Sequence, residues 1–176
     1  MKGTQELQAD IFSAIGGRDD VYALQHLKGQ YFPVKRPLTL EIYQDPSKTV
    51  GVYPIDKTGF VKMGIFDIDI LKKYLGDDRK ELDELARKQA QLLRAELHSI
   101  GISSKLEFSG SKGYHVWIFL EERVSAVDMY ALLTTIKQDV GIIDHRLDVE
   151  LFPKQDSVKE GGFGNLIKLP FQPILE

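Results

Sequence analysis

The run Gly64-Ile65-Phe66-Asp67-Ile68-Asp69-Ile70 limits what this chain can fold into more than any other stretch. It is apolar enough for an interior strand, yet it carries two carboxylates two residues apart. Successive side chains of a strand point to opposite faces, so Asp67 and Asp69 share one face while Phe66, Ile68 and Ile70 take the other. One buried unpaired carboxylate is costly and two adjacent ones repel, so the arrangement requires a divalent cation or a basic partner. A metal is the simpler solution. An edge strand with Asp69 at its solvent end is the competing one.

The 176 residues suit one domain with a sizeable core, and 43% apolar with 10% aromatic content argues for a globular fold. The absence of cysteine excludes a disulfide framework, a zinc ribbon and a thiol nucleophile. No apolar run reaches membrane-spanning length, and Met1 to Glu6 lacks the apolar segment of a signal peptide. The expectation is a soluble cytoplasmic protein without a membrane partner. A net charge of -3 is not that of a protein that coats nucleic acid non-specifically, so any phosphate recognition must be local.

Periodicity and punctuation place the elements. Leu7, Ile11 and Ala14 predict a helix closed by Gly16-Gly17, and the stretch from Gly17 to Ala23 predicts a second. Gly29 to Pro37 is loop or short strand, with Lys28, Lys35 and Arg36 beside Tyr31 and Phe32, a basic and aromatic mixture able to hold a base or sugar. Pro37 to Tyr43 is a short helix. Val50 to Pro54 and Phe60 to Ile68 form two strands of a hairpin that delivers Asp67 and Asp69. Asp77 to Ile100 is the clearest helix, stopped by Gly101, and Ser125 caps another that ends at Gly141. Ser104 to Phe108, Tyr114 to Leu120, Arg146 to Phe152 and Asn165 to Leu169 are strands. Strands separated by crossover helices imply an α/β or α+β sheet with helices packed on it.

Three further features bear chemistry. In Ser109-Gly110-Ser111-Lys112-Gly113-Tyr114-His115, two glycines free backbone N–H groups, serines add donors and Lys112 adds charge, which together describe a phosphate cradle. It opens a strand and so is not a Walker A loop; a polar hairpin turn is the plainer account. His115 follows directly and, when protonated, offers two donors to phosphate. In Leu147-Asp148-Val149-Glu150-Leu151, Asp148 and Glu150 share a face, so acids from neighbouring strands could hold two Mg²⁺ ions. Periodicity does not separate the two acids. Position does, if Asp148 pairs with Arg146 and Glu150 sits deeper. Lys168, alone in the apolar run Asn165 to Leu169, is either a snorkelling lysine or a second phosphate contact.

The motifs F-D-I-D-I, S-G-S-K-G-Y-H-V-W-I-F, and D-V-E-L-F-P-K-Q followed by G-N-L-I-K-L-P-F resemble, in this order and spacing, the archaeo-eukaryotic primase superfamily. Within it they look closest to the primase-polymerases of TOTE conflict systems and their CRISPR-associated relatives. The resemblance covers Val50 to Phe171, and Gly17 to Tyr22 resembles that branch's N-terminal signature. It implies one α+β catalytic domain over 1–176: an RRM-like module at 49–176, with a mixed or antiparallel sheet and packed helices, and an N-terminal α/β unit at 1–48. It implies Asp67, Asp69 and Glu150 as catalytic residues and ligands of two divalent ions, Mg²⁺ or Mn²⁺. Ser109, Ser111, Lys112, Gly113, His115 and Lys168 would bind the nucleotide. The implied activity is primer synthesis or extension by a DNA primase-polymerase in a prokaryotic cytoplasm. Its partners would be single-stranded DNA template, primer, and deoxy- or ribonucleoside triphosphates, with CRISPR adaptation proteins or other domains of a larger chain beside them. Tyr31, Tyr53 and Tyr114 are candidates for sensing the sugar. The chain departs from the fuller architecture by lacking cysteines for a zinc-binding module, and its end six residues after Pro170 resembles an excised core.

Two other classes compete. I-F-D-I-D-I-L loosely fits the nucleophile motif of haloacid-dehalogenase-like phosphohydrolases, which place it near the N-terminus, whereas about sixty residues precede it here. A non-catalytic RRM-like module would stack bases on exposed aromatics and has little use for adjacent strand carboxylates.

Overall fold

Burial on one face or on two decides which apolar runs of this chain become strands. In the computed structural model, which describes residues 3–26 and 30–172, Val21, Tyr22 and Ala23 are all buried. Three buried residues in a row suit a strand covered on both faces and not an amphipathic helix. The stretch from Gly17 is therefore a turn into a strand, not the expected second helix. Gly17 opens the turn at φ 111°, where a Cβ would lie 2.1 Å from Tyr53 O. Arg18 closes it with hydrogen bonds of 2.8 and 2.9 Å to the Asp20 carboxylate.

In chain order the described residues form α1 (Thr4–Ala14), β1 (Tyr22–Gln25), β2 (Tyr31–Val34), α2 (Leu40–Gln44), β3 (Val50–Val52), β4 (Phe60–Ile70), α3 (Arg79–Ser99), β5 (Lys105–Phe108), β6 (Gly113–Ser125), α4 (Ala126–Val140), β7 (Leu147–Phe152) and β8 (Ile167–Lys168). The strands make two antiparallel sheets, in the orders β2-β1-β3-β8 and β5-β6-β4-β7. The fold is α+β. Its second half, β4-α3-β5-β6-α4-β7, has the βαββαβ order of an RRM-like module.

The expected hairpin of Val50 to Pro54 with Phe60 to Ile68 is not formed. Asp56 does make the turn, accepting from Thr58 N at 2.7 Å and Phe60 N at 3.0 Å. The flanking strands then diverge, because Val50-Gly51-Val52 is buried along its whole length and lies between β1 and β8. β3 and the late strand β8 thus complete the N-terminal sheet, and the sheet boundary does not coincide with a division at residue 48.

The helices follow their sequence signals. Asp78 caps α3 by accepting from Lys80 N and Glu81 N, and its apolar stripe Leu82, Ala86, Ala90, Leu93 and Leu97 is buried. Ser125 caps α4 by accepting from Asp128 N at 3.0 Å. Both helices pack on Phe66, Ile68, Ile70, Val116, Ile118 and Val149. The opposite face of that sheet sends Met63, Ile65, Trp117 and Phe152 into a second core with Tyr22, Val50, Val52 and Ile167. Gln8 of α1 fastens the flank by donating to Phe171 O at 3.2 Å. Phe32 is exposed and Arg36 donates to Tyr22 Oη at 3.4 Å, while Lys28 lies outside the described residues. Among the described residues no helix is long and apolar enough to cross a membrane.

Candidate active site

β4 is the inner strand between β6 and β7, so its register decides what meets Asp67 and Asp69. Asp67 stands directly opposite His115 on β6 and Glu150 on β7, and His115 stands opposite Glu107 on β5. Residues directly opposed in an antiparallel pair share a face. Glu107, His115, Asp67 and Glu150 therefore form one polar row across all four strands. The next rung is Gly113, Asp69 and Asp148. Four carboxylates, Asp67, Asp69, Asp148 and Glu150, thus occupy one face just beyond Ile65 and Trp117. Side-chain exposure rises along β4 from 16% at Asp67 to 30% at Asp69, which sets the acids at the rim of the inter-sheet core.

Each of three acids has a cation beside it. His115 Nε2 is 3.3 Å from Asp67 Oδ1, Lys112 Nζ is 2.5 Å from Asp69 Oδ2, and Lys154 Nζ is 2.5 Å from Glu150 Oε2. Burial acts to lower the His115 pKa, but Asp67 and Glu107 on its two sides outweigh it and push the ring up to about 9. Burial raises the Asp69 pKa, with Lys112 opposing and the Asp67 charge adding to the rise. Among the described residues no three His, Asp or Glu side chains converge closely enough, as they stand, to hold a metal ion. The donor set nevertheless fits a hard divalent cation: it is all oxygen, and Asp67 Oδ1 is buried without a directed hydrogen bond.

The Ser109–Lys112 loop borders this face. Arg79 donates to Ser111 O and so anchors the loop to the start of α3. From the other sheet, Lys168 donates to Ser109 O at 2.9 Å, and the two residues line a cavity of about 320 Å³ together with Gly110 and Gln172. Ser111 is exposed; Lys112 is half-buried by Asp69. Gly113 has a packing reason of its own, since a Cβ there would lie 1.8 Å from Ile68 O. Both nitrogens of His115 face carboxylates, Nδ1 at 2.9 Å from Glu107 and Nε2 toward Asp67.

Residues 38–174 match the model of the archaeo-eukaryotic primase domain of TOTE conflict systems. The chain belongs to that family. Membership supports nucleotidyl transfer as the class of chemistry. Among solved structures, the polymerase domain of Mycobacterium tuberculosis ligase D in complex with DNA is similar at 19% identity and a TM-score of 0.49, over 77% of this chain and 61% of that one. The chain thus spans less than two thirds of that structure's length. No curated protein matches the sequence.

Within this primase domain several expected contacts are replaced. Arg146 pairs with Asp144 and Glu81, each at 2.8 Å, and not with Asp148. Glu150 is the more exposed of the two β7 acids, so depth does not single it out. Register does not separate them either, since Glu150 stands opposite Asp67 and Asp148 opposite Asp69. Tyr31 and Tyr53 pack with Val21 and Ala23, and Tyr114 packs on the helix-side core, so none of the three shares the face of Asp67. Glu107 is the residue that sequence reasoning missed. Lys105 and Glu107 alternate with Leu106 and Phe108 in the sequence, but only the register of β5 on β6 reveals that Glu107 meets His115.

Proposed function

We propose that this domain performs template-directed nucleotidyl transfer, making or extending a nucleic-acid primer on single-stranded DNA from nucleoside triphosphates. The observation that carries the reading is the single sheet face on which Asp67, Asp69 and Glu150 stand, bordered by the loop that holds Lys112 and that Lys168 of β8 reaches through Ser109 O. Asp67, Asp69 and Glu150 would hold two divalent ions, Mg²⁺ or Mn²⁺, which when bound lower the pKa of an attacking hydroxyl and stabilise charge on the leaving phosphate. The 3′-hydroxyl attacks the α-phosphorus, the α–β phosphoanhydride bond breaks, and pyrophosphate leaves.

The chain's residues divide the remaining work. Lys112, Lys168 and the Ser109 and Ser111 hydroxyls would bind the triphosphate, while Gly113 keeps the loop tight against β4. With Asp67 committed to a cation, His115 Nε2 becomes a free donor to phosphate. A haloacid-dehalogenase-type hydrolase gains no observation in its favour: the Asp pair sits on an antiparallel RRM-like sheet, not at the end of a parallel strand. A non-catalytic binding module would leave four carboxylates repelling DNA at the very face it must use. The test is a primer on defined single-stranded templates, with Mg²⁺ or Mn²⁺ and each triphosphate alone. Incorporation that follows the templating base supports the proposal; release of phosphate without elongation refutes it.

A further inference from the structure

No motif marks Glu107, yet the buried end of the polar row is built around it. Its Oε2 accepts from Trp117 Nε1 at 2.7 Å and lies 2.9 Å from His115 Nδ1. Trp117 and His115 are 1% and 4% exposed, and their rings meet edge to face at 5.8 Å and 81°. The imidazole is thus held at one nitrogen by a carboxylate and along its side by an indole that the same carboxylate holds. An imidazole on a strand has a broad, roughly two-fold preference about its outer torsion, so nothing intrinsic fixes which nitrogen faces the site. An acceptor at Nδ1 fixes it, and the opposite nitrogen then lies on the Asp67 side of the ring, 3.3 Å from Oδ1.

We infer that Glu107 is a positioning residue that acts through His115, locking the ring so that Nε2 is presented to the triphosphate of the incoming nucleotide. The inference rests on the reading of His115 as a phosphate contact. Its rival is a core role, in which Glu107 serves only to satisfy the buried indole of Trp117. The two differ in whether Glu107 and His115 depend on each other.

The experiment measures binding of dATP and of ATP, each with Mg²⁺, by calorimetry. The Trp117→Phe background removes the indole and with it the rival role, and thermal unfolding checks that each variant is folded. His115→Ala should weaken binding about ten- to a hundredfold, as expected for a lost charge-assisted phosphate contact. Glu107→Ala should lose a similar factor, the double variant should be no weaker than His115→Ala alone, and Glu107→Gln should recover most of the affinity, since its amide oxygen still accepts from Nδ1. No nucleotide binding by the unmutated chain, or unchanged affinity in His115→Ala, overturns both the reading of His115 and the inference. Weakened His115→Ala with unchanged Glu107→Ala, or losses that multiply in the double variant, overturns the inference alone.

Discussion

Replacing Gly113 by alanine tests whether that glycine serves the sheet as well as the loop. The new Cβ would lie 1.8 Å from Ile68 O, 2.9 Å from Ile68 C and 3.0 Å from Asp69 Oδ1. Two of these atoms are backbone and cannot rotate away, so β4 and β6 must part by roughly 1.5 Å to restore van der Waals contact. The bonds at risk are Ile70 N to Lys112 O at 2.9 Å and Ser109 N to Gly113 O at 3.0 Å. Overpacking costs about 1–3 kcal/mol and each weakened backbone bond about 1 kcal/mol, giving about 3–5 kcal/mol. For a chain of this length each kcal/mol lowers the melting temperature by about 2–4 °C, so the fall should be about 6–20 °C. Gly59→Ala is the control: it carries a positive φ of 83° but meets nothing within 4 Å, so it should cost only about 1–2 kcal/mol. Circular-dichroism melts of both variants decide the matter. A Gly113→Ala protein that melts within about 2 °C of the unmutated chain, or no lower than Gly59→Ala, refutes the close-approach argument.

Further expectations concern charge and capping. Lys112→Ala should weaken triphosphate binding about ten- to a hundredfold, read by calorimetry; unchanged affinity moves the phosphate site away from this loop. The Arg146 guanidinium and its backbone N–H hold the Asp144 carboxyl well below its ordinary 3.8. A depressed carboxyl pKa contributes stability that is full above the ordinary value and is lost as pH falls below it. Urea unfolding from pH 5 downward should therefore show a shallower acid loss in Arg146→Ala than in the unmutated chain, and parallel curves would contradict the pairing. Ser125→Ala removes the cap of α4 and should cost about 1 kcal/mol in urea unfolding, with no change in triphosphate affinity.

The parts of the fold that local chemistry dictates were legible in the sequence. α3 has a capping Asp78, a 3.6-residue apolar stripe and Gly101 at φ 81° as its stop, and each signal acts within a few residues. The acidic pair on β4 was equally plain, since two-residue alternation alone puts Asp67 and Asp69 on one face. What failed required knowledge of partners distant in the chain. Gly17 to Ala23 looked helical because nothing local shows that Val21, Tyr22 and Ala23 are covered on both sides. The Asp56 turn is real, yet β3 leaves it for β1 and β8, a choice set by the second sheet. Arg146 preferred Asp144 two residues away and Glu81 on α3 to the expected Asp148. Glu107 meets His115 only through the register of β5 on β6.

The central claim is that Asp67 and Asp69 carry the chemistry. Its most direct measurement is templated primer extension, with Mg²⁺ or Mn²⁺, by the chain carrying Asp67→Ala and Asp69→Ala together, with a thermal melt run on the same sample. His115 keeps Glu107 as a partner and Lys112 keeps access to water, so removal of the two acids should leave the melting temperature within about 3 °C of the unmutated chain. Extension should fall below detection. A folded double variant that still elongates the primer at near the unmutated rate would contradict the account.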